Sequence, residues 1–177
     1  GVLSHAPMRE QAALMMIDAF QPQGITRLAV DSIFMMPQLG VLASVLPEAA
    51  QEVFERDCLI WLGTVVAPVG TTRAGETVMK YVLTPENANA EMRGELKFGQ
   101  FKRIPLGIGE KAKLRIEPAR QFNVGAGPGR NLEVEVTGGV VGIILDARGR
   151  PLALPSDNKE RIAQLAIWMK ELGFALS

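Results

Sequence analysis

Three polar side chains follow an apolar run and could bind an anion. Asp146, Arg148 and Arg150 come directly after Val140–Leu145. Two guanidinium groups can hold a carboxylate or a phosphate through paired hydrogen bonds, and in an extended segment residues two apart lie on the same side. A simple turn explains the same residues, because Asp146 can accept backbone N–H groups and Gly149 can take the left-handed conformation. We favour the turn, and the ligand-binding hypothesis stays open.

A glycine-rich loop is the second candidate site. It contains Gly125, Gly127 and Gly129, followed by Arg130. Backbone N–H groups of such a loop can surround an anion, and Arg130 would add a charge-assisted hydrogen bond. However, the loop precedes a strand and lacks the lysine and hydroxyl residue of a P-loop. A tight connection in which only glycine fits the positive φ angles is the simpler interpretation.

The sequence contains no complete catalytic set. His5 is the only histidine and lies near the start of the chain, and no serine stands in a nucleophile-elbow motif, so nothing in the sequence resembles a catalytic triad. Asp146 would need a raised pKa to act as a general acid or base, whereas Arg148, two residues away, should lower it. We therefore expect no catalytic residue, no metal site and no cofactor in these 177 residues.

Composition indicates a globular protein without a charged partner. Of the 177 residues, 47% are hydrophobic, and 19 basic residues balance 19 acidic ones, which favours neither nucleic acid nor a membrane surface. The single cysteine, Cys58, is predicted to be a buried apolar residue in a reducing compartment. Because no secretory signal or long apolar span is evident, we predict a cytoplasmic protein. The start at Gly1 is compatible with a piece of a longer protein.

Residues 1–57 are predicted to be mainly helical. Apolar spacing predicts a helix over Met8–Phe20, and alternation predicts a short strand over Ile25–Val30. Phe34–Arg56 is apolar and helical but divided by Pro47, which fits the first turn of a second helix. This part forms the first predicted unit.

Residues 58–177 are predicted to form a β-rich unit that ends in a helix. Runs of strand length lie between closely spaced glycines and prolines, with strict alternation in several of them. The predicted strands are Cys58–Ala67, Thr77–Leu83, Glu91–Phe98, Lys111–Ile116, Leu132–Val136 and Val140–Leu145. The predicted fold is therefore α+β, with a small antiparallel β-barrel or sandwich of about six strands, preceded by the mainly helical segment and closed by a C-terminal helix.

The C-terminal helix has clear start and stop signals. Asp157 can cap its first turn, and Gly173 can end it. The spacing predicts a buried stripe, and we expect Trp168 to anchor the helix to the β-rich unit. The predicted stripe is Ile162, Leu165, Ala166, Met169 and Leu172.

Three strings in this order resemble the C-terminal part of the glutamate mutase L family. They are DAFQPQGITRLAVD at 18–31, LGTVVAPVG at 62–70 and GGVVGIILDARGRPLALP at 138–155. Members are ATPase-like proteins encoded beside cobalamin-dependent carbon-skeleton mutases. The resemblance implies a parent protein with an actin- and Hsp70-like nucleotide-binding fold and a role in handling or reactivating a mutase. The phosphate loops of that fold are not among these residues, so ATP hydrolysis is not carried over.

The resemblance leads to a first functional hypothesis. Residues 1–57 would complete the edge of the parent's nucleotide-binding domain, and residues 58–177 would be an added, non-catalytic module. Its partner would be a protein, either a cobalamin-dependent mutase or the rest of the parent chain. The alternative is an anion or small-molecule binding domain in which the Gly125–Arg130 loop converges with Arg148 and Arg150. An enzyme using Asp146 is a third hypothesis, and the oligomeric state stays open.

Overall fold

A computed structural model describes residue 3 and residues 5–87 and 90–173. This part of the chain contains four α-helices and eight strands. In chain order they are α1 (Arg9–Phe20), β1 (Gly24–Asp31), α2 (Met36–Ala43), α3 (Pro47–Val53), β2 (Leu59–Ala67), β3 (Thr77–Pro85), β4 (Met92–Lys97), β5 (Phe101–Ile104), β6 (Lys111–Pro118), β7 (Leu132–Thr137), β8 (Gly142–Asp146) and α4 (Asn158–Glu171), with a π-helical turn at Phe54–Cys58 between α3 and β2. No helix in these ranges is both long and apolar enough to cross a bilayer.

The strands form two four-stranded sheets. The first has the order β1-β2-β8-β5, and the second has the order β4-β3-β6-β7. Each sheet ends in two edge strands and does not close on itself, so the α+β fold is a sandwich and not a barrel. The sandwich has eight strands and not the predicted six, because it includes β1, which was predicted as part of the helical unit, and β5, which was not predicted.

One strand pair departs from the predicted antiparallel arrangement. Strands β2 and β8 run parallel, with Gly63 opposite Gly142, while the other pairs are antiparallel. Gly63 has φ +139°, and a Cβ atom built on it would lie 1.8 Å from the carbonyl oxygen of Gly142. Only glycine fits at this position. The close approach brings β8 into the centre of the first sheet.

Two hydrophobic cores lie on the two faces of the first sheet. One fills the space between the sheets, where Leu145 of β8 and Leu114 of β6 are fully buried. The other lies between the first sheet and helices α1 and α4, and it contains Ile17 and Leu172. The protein thus has three layers, with β8 buried on both faces as all five of its residues are buried.

The second sheet has one buried and one charged face. Strand β6 alternates exposed and buried residues along its whole length, as the sequence predicts. On the outer face Lys113 lies 2.6 Å from Glu133, and Lys111 lies 2.7 Å from Glu135. These cross-strand ion pairs are exposed and indicate a solvent-facing surface.

The C-terminal helix begins and ends as predicted. Asp157 accepts hydrogen bonds from the amides of Lys159 and Glu160 at 2.9 and 3.0 Å, and Gly173 follows the helix with φ +94°. Trp168 is 3% exposed and belongs to the core. The prediction that Ile162 is buried is wrong, since that side chain is 66% exposed.

Residues 32–58, which we call the projection, leave the sandwich between two paired strands. Asp31 at the end of β1 lies opposite Leu59 at the start of β2, and the amide of Ser32 donates to the carbonyl of Cys58 at 2.9 Å. The projection contains α2, α3 and the π-helical turn, and Pro47 begins α3 as predicted. All of its residues are described, and none belongs to either hydrophobic core.

The pairing of β1 with β2 crosses the predicted unit boundary at residue 57. Strand β1, from the predicted helical unit, is an edge strand of the first sheet. Helix α1 also packs on that sheet, in the core that contains Ile17 and Trp168. The division into units 1–57 and 58–177 stays a prediction.

Candidate functional site

Asp146, Arg148 and Arg150 form one buried ion cluster at the end of β8. Nε and Nη2 of Arg148 each lie 2.9 Å from a different oxygen of Asp146. Nη2 of Arg150 lies 2.7 Å from Oδ2 of the same carboxylate. The Asp146 side chain has no exposed surface, and the two arginine side chains have at most 1%. The structure therefore brings together the three polar side chains of this predicted site.

The cluster joins β8 to helix α1 and the connection that follows it. Nη2 of Arg148 also lies 2.7 Å from Oδ1 of Asp18, on α1. Nε of Arg150 donates to the carbonyl of Pro22 at 2.9 Å. Charge-assisted hydrogen bonds of this geometry are among the stronger ones in proteins. Since these arginine donors have acceptors within the protein, the cluster holds the first sheet and α1 together.

Two aromatic rings enclose the Arg148 guanidinium. Its Cζ atom lies 4.7 Å from the ring centroid of Phe101 and 4.5 Å from that of Trp168. Nη1 of Arg148 is the one buried side-chain nitrogen or oxygen without a hydrogen-bond partner among the described residues. Cation–π contacts with the two rings offset part of the cost of burying this group. Trp168 is itself fixed by its Nε1, which donates to the carbonyl of Gly99 at 3.1 Å.

The ionisation of the cluster opposes acid–base catalysis. Burial by itself would raise the pKa of Asp146, but the hydrogen bonds and charges of Arg148 and Arg150 together outweigh it and lower that pKa below its ordinary value. Burial would likewise lower the pKa of Arg148, yet Asp146 and Asp18 raise it overall. The carboxylate is therefore ionised at neutral pH, which is the direction the sequence predicts.

The predicted turn after β8 is present. The amide of Arg148 donates to Oδ1 of Asp146 at 3.0 Å, and Gly149 has φ +97°. These are the two features expected of an aspartate-initiated turn. That Asp146, Arg148 and Arg150 bind a ligand stays a prediction.

The glycine-rich loop is a tight connection that the side chain of Asn123, just before it, stabilises. Oδ1 of Asn123 accepts hydrogen bonds from the amides of Gly125 and Gly127 at 2.8 and 2.9 Å, and the amide of Gly129 donates to Phe122. The three glycines have φ angles of +118°, +108° and +65°. The loop amides that could surround an anion therefore have internal acceptors, and the positive φ angles explain the glycines.

The two predicted anion-binding segments share no hydrogen bond or ion pair in the part of the chain that the structure describes. Arg130 is exposed and packs beside Gly127 of its own loop. No hydrogen bond or ion pair among the described residues joins it to Arg148 or Arg150. Anion binding by Gly125, Gly127, Gly129 and Arg130 stays a prediction.

The structure also describes the surroundings of two other reactive side chains, Cys58 and His5. Burial raises the pKa of the Cys58 thiol, and the carboxylates of Asp31 and Asp57 add to the shift, so this thiol is protonated at neutral pH. His5 stacks on Phe34 with 5.7 Å between ring centroids. Among these residues there is no group of three or more His, Cys, Asp and Glu side chains that could hold a metal ion.

The projection carries an exposed apolar surface that the sequence reasoning missed. Val41 and Val45 are 73% and 75% exposed. The other large apolar side chains exposed on it are Ile33, Phe34, Met36 and Leu46. Residues 32–47 contain no charged side chain, and this uncharged run was the available signal. An apolar surface of this kind marks a contact site more often than a solvated one.

Comparison with known proteins gives one partial match. Residues 1–58 match a family model described as MutL protein. The matched stretch covers α1, β1 and the projection, and it leaves residues 59–177 unmatched. No curated protein and no solved structure matches the chain. The resemblance to glutamate mutase L-like proteins is thus supported over residues 1–58, while the string at 138–155 lies outside the match.

Proposed function

We propose that this chain is a non-catalytic interaction module of a glutamate mutase L-type protein, which binds a cobalamin-dependent mutase through the projection. The observation that carries the proposal is that the apolar side chains of the projection belong to neither core of the sandwich. The family match supports the same assignment, because residues 1–58 include the whole projection.

Burial energetics explain why the projection needs a partner. Complete burial of one aliphatic side chain contributes about 1.5 to 3 kcal/mol. Six large apolar side chains on the projection, including Val41 and Val45, are exposed. Covering a part of this surface would offset the loss of freedom on association. The projection is therefore suited to bury its apolar residues against another protein surface.

The sandwich serves as the support for this surface. The buried ion cluster joins β8 to α1 through Asp18 and Arg148, and β1 and β2 hold the two ends of the projection. A short, fixed base limits the conformational freedom that binding would remove. On this proposal the charged residues of the cluster position the module and do not contact a substrate.

The place of the module in a longer protein is part of the proposal. Residues 59–177 lie beyond the matched stretch, and on this proposal they are a C-terminal addition to the common part of such proteins. The rest of the parent chain is then a second candidate partner for the same surface. The anion-binding alternative has less support, because the amides of Gly125 and Gly127 and most arginine donors of the cluster already have internal acceptors. The exception is Nη1 of Arg148, which is itself buried.

Isothermal titration with purified subunits of a cobalamin-dependent mutase tests the proposal. The wild-type chain should bind one subunit, and Val41→Asp should abolish binding, because it places a charge in the apolar contact. Ile108→Asp is the matched control, since Ile108 is 70% exposed but lies outside the projection. It should bind like the wild type. The parent's nucleotide-binding domain is titrated in the same way.

The outcomes separate the two parts of the proposal. Binding to a mutase subunit that Val41→Asp removes supports the whole proposal. Binding to the parent's nucleotide-binding domain alone would contradict the mutase as partner. Equal binding by Val41→Asp and the wild type would contradict the role of the projection, and binding to neither protein would overturn the function.

A further inference from the structure

We infer that the projection binds an amphipathic helix whose apolar face is bordered by lysine or arginine side chains. The inference rests on the proposed function, since it takes the projection as the contact surface and adds the chemistry of the partner. Three observations carry it: the distribution of charge along the projection, the internal pairing of its single arginine, and its arrangement as two short helices.

Charge divides the projection into two parts. Residues 32–47 carry no charged side chain, whereas residues 48–57 carry four acidic ones and one arginine. The acidic residues are Glu48, Glu52, Glu55 and Asp57. The whole chain is balanced, with 19 basic and 19 acidic residues, so this asymmetry is local. We call residues 48–57, which follow the uncharged apolar run directly in the chain, its acidic border.

The single basic residue does not present a free positive charge. Arg56 lies 2.9 Å from Asp57 and 3.4 Å from Glu52. Those two pairs leave Glu48 and Glu55 without a cationic partner among the described ion pairs. Glu55 accepts a hydrogen bond from the neutral side-chain amide of Gln51, at 2.9 Å. The border is thus net negative, and a complementary partner carries basic side chains at its edge.

The same charge disfavours two other occupants. A second copy of the chain would place a second acidic border on the same contact, and like charges within about 8 to 10 Å repel at physiological salt. An anionic membrane would meet the same repulsion. A protein partner with basic edges has no such penalty, so it is the occupant that the charges favour.

The shape of the projection indicates what kind of surface it accepts. Helices α2 (Met36–Ala43) and α3 (Pro47–Val53) are joined by a short connection and contact each other. Each has one buried residue, Leu39 in α2 and Ala50 in α3. Exposed apolar residues continue from Val41 through Val45 into that connection. Amphipathic helices bind proteins by laying their apolar face against a hydrophobic surface, and the projection offers exposed apolar side chains for such a contact.

Two synthetic peptides test the inference without a natural partner. Both are fluorescently labelled amphipathic helices with the same leucine face; one has lysines beside that face, and the other has glutamates. Fluorescence anisotropy should show that the wild type binds the lysine peptide at least about tenfold more tightly than the glutamate peptide. Higher salt should reduce this difference.

Charge reversal and apolar variants make the test specific. The double variant Glu52→Lys, Glu55→Lys should reverse the preference, while Glu171→Lys, on the exposed end of α4, should leave it unchanged. Val41→Asp should abolish binding of both peptides. Circular dichroism confirms that each variant is folded. Sedimentation of the wild type, and flotation with neutral and anionic vesicles, test the other two occupants.

Each result decides one claim. A lysine preference that the double variant reverses supports the inference, even where no mutase subunit binds. Equal affinity for the two peptides overturns it, and mutase binding in that case leaves the proposed function intact. Dimerisation that Val41→Asp removes, or vesicle binding that it removes, overturns the inference in favour of a second copy or a lipid surface.

Discussion

Asp146 and Arg148 form a bidentate ion pair with no solvent exposure on either side chain. Nε and Nη2 of Arg148 each lie 2.9 Å from one carboxylate oxygen. The same guanidinium binds Asp18 on α1 and contacts the rings of Phe101 and Trp168. The pair thus stands where the first sheet meets helices α1 and α4, and most of our predictions on stability concern it.

Asp146→Asn should destabilise the protein strongly. The change keeps the shape of the side chain but leaves two arginine charges buried without their main partner, and breaking a buried pair in this way costs about 3 to 5 kcal/mol. Equilibrium urea unfolding measures the loss. Glu133→Gln is the control, because that carboxylate pairs with Lys113 on the exposed face of the second sheet. A loss no larger than that of the control would contradict a structural role for the cluster.

The stabilising effect of Asp146 should disappear in acid. The folded-state pKa of Asp146 lies below the ordinary value of 3.8, so its contribution is present above that pH and is lost as pH falls through the lowered pKa. The difference in unfolding free energy between wild type and Asp146→Asn should be constant from about pH 7 to pH 5 and should shrink below pH 3.8. A difference that shrinks between pH 7 and pH 5 would contradict the lowered pKa.

Substitutions of Trp168 should separate its packing from its hydrogen bond. Trp168→Ala removes a core ring and the stacking on Arg148, and we expect a loss of about 3 to 5 kcal/mol. Trp168→Phe keeps an aromatic ring and loses the hydrogen bond to Gly99, for a loss of about 0.5 to 1.5 kcal/mol beyond any repacking. Chemical denaturation measures both. A loss below about 1 kcal/mol for the alanine variant would mean that the ring is not a core residue.

Local patterns predicted most of the elements. The alternation along Lys111–Ile116 and the cap at Asp157 each depend on residues close in sequence, and both predictions are confirmed. The prediction of antiparallel strands is wrong for the pair β2 and β8, because their parallel pairing depends on the close approach of Gly63 to Gly142, which lie far apart in the chain. The exposure of Ile162 could not be predicted from periodicity either, because periodicity does not tell which apolar positions of a helix are covered by a neighbouring layer.

The candidate site was predictable only in part. The turn at Asp146 is local, and the sequence showed it together with the direction of its pKa shift. The partners Asp18 and Trp168 come from distant elements, so the enclosure of Arg148 could not be predicted. The projection was predicted correctly as two helices, but helical spacing does not tell whether an apolar face meets a core.

Two glycine substitutions should have opposite effects. Gly63→Ala would place a Cβ atom 1.8 Å from the Gly142 carbonyl oxygen, so we expect it to prevent correct pairing of β2 with β8 and to give little folded protein. Gly40 lies within α2, and a Cβ atom there meets nothing within 4 Å. Gly40→Ala should therefore stabilise that helix by up to about 1 kcal/mol. Thermal unfolding measures the melting temperature of each variant against the wild type. A well-folded Gly63→Ala variant would contradict the observed register of β2 and β8.

The most direct test of the account replaces residues 33–57 by Asn-Gly and titrates the product with the mutase subunit that the wild type binds. Asp31 and Leu59 are already paired, and the Ser32 amide donates to Cys58, so a two-residue turn fits between the strands. We predict that the product is a folded sandwich, in which the fluorescence of Trp168 is that of a buried tryptophan, and that it does not bind the mutase subunit. A folded product that still binds like the wild type would contradict the central claim that the projection is the contact surface, and an unfolded product would contradict its independence from the sandwich.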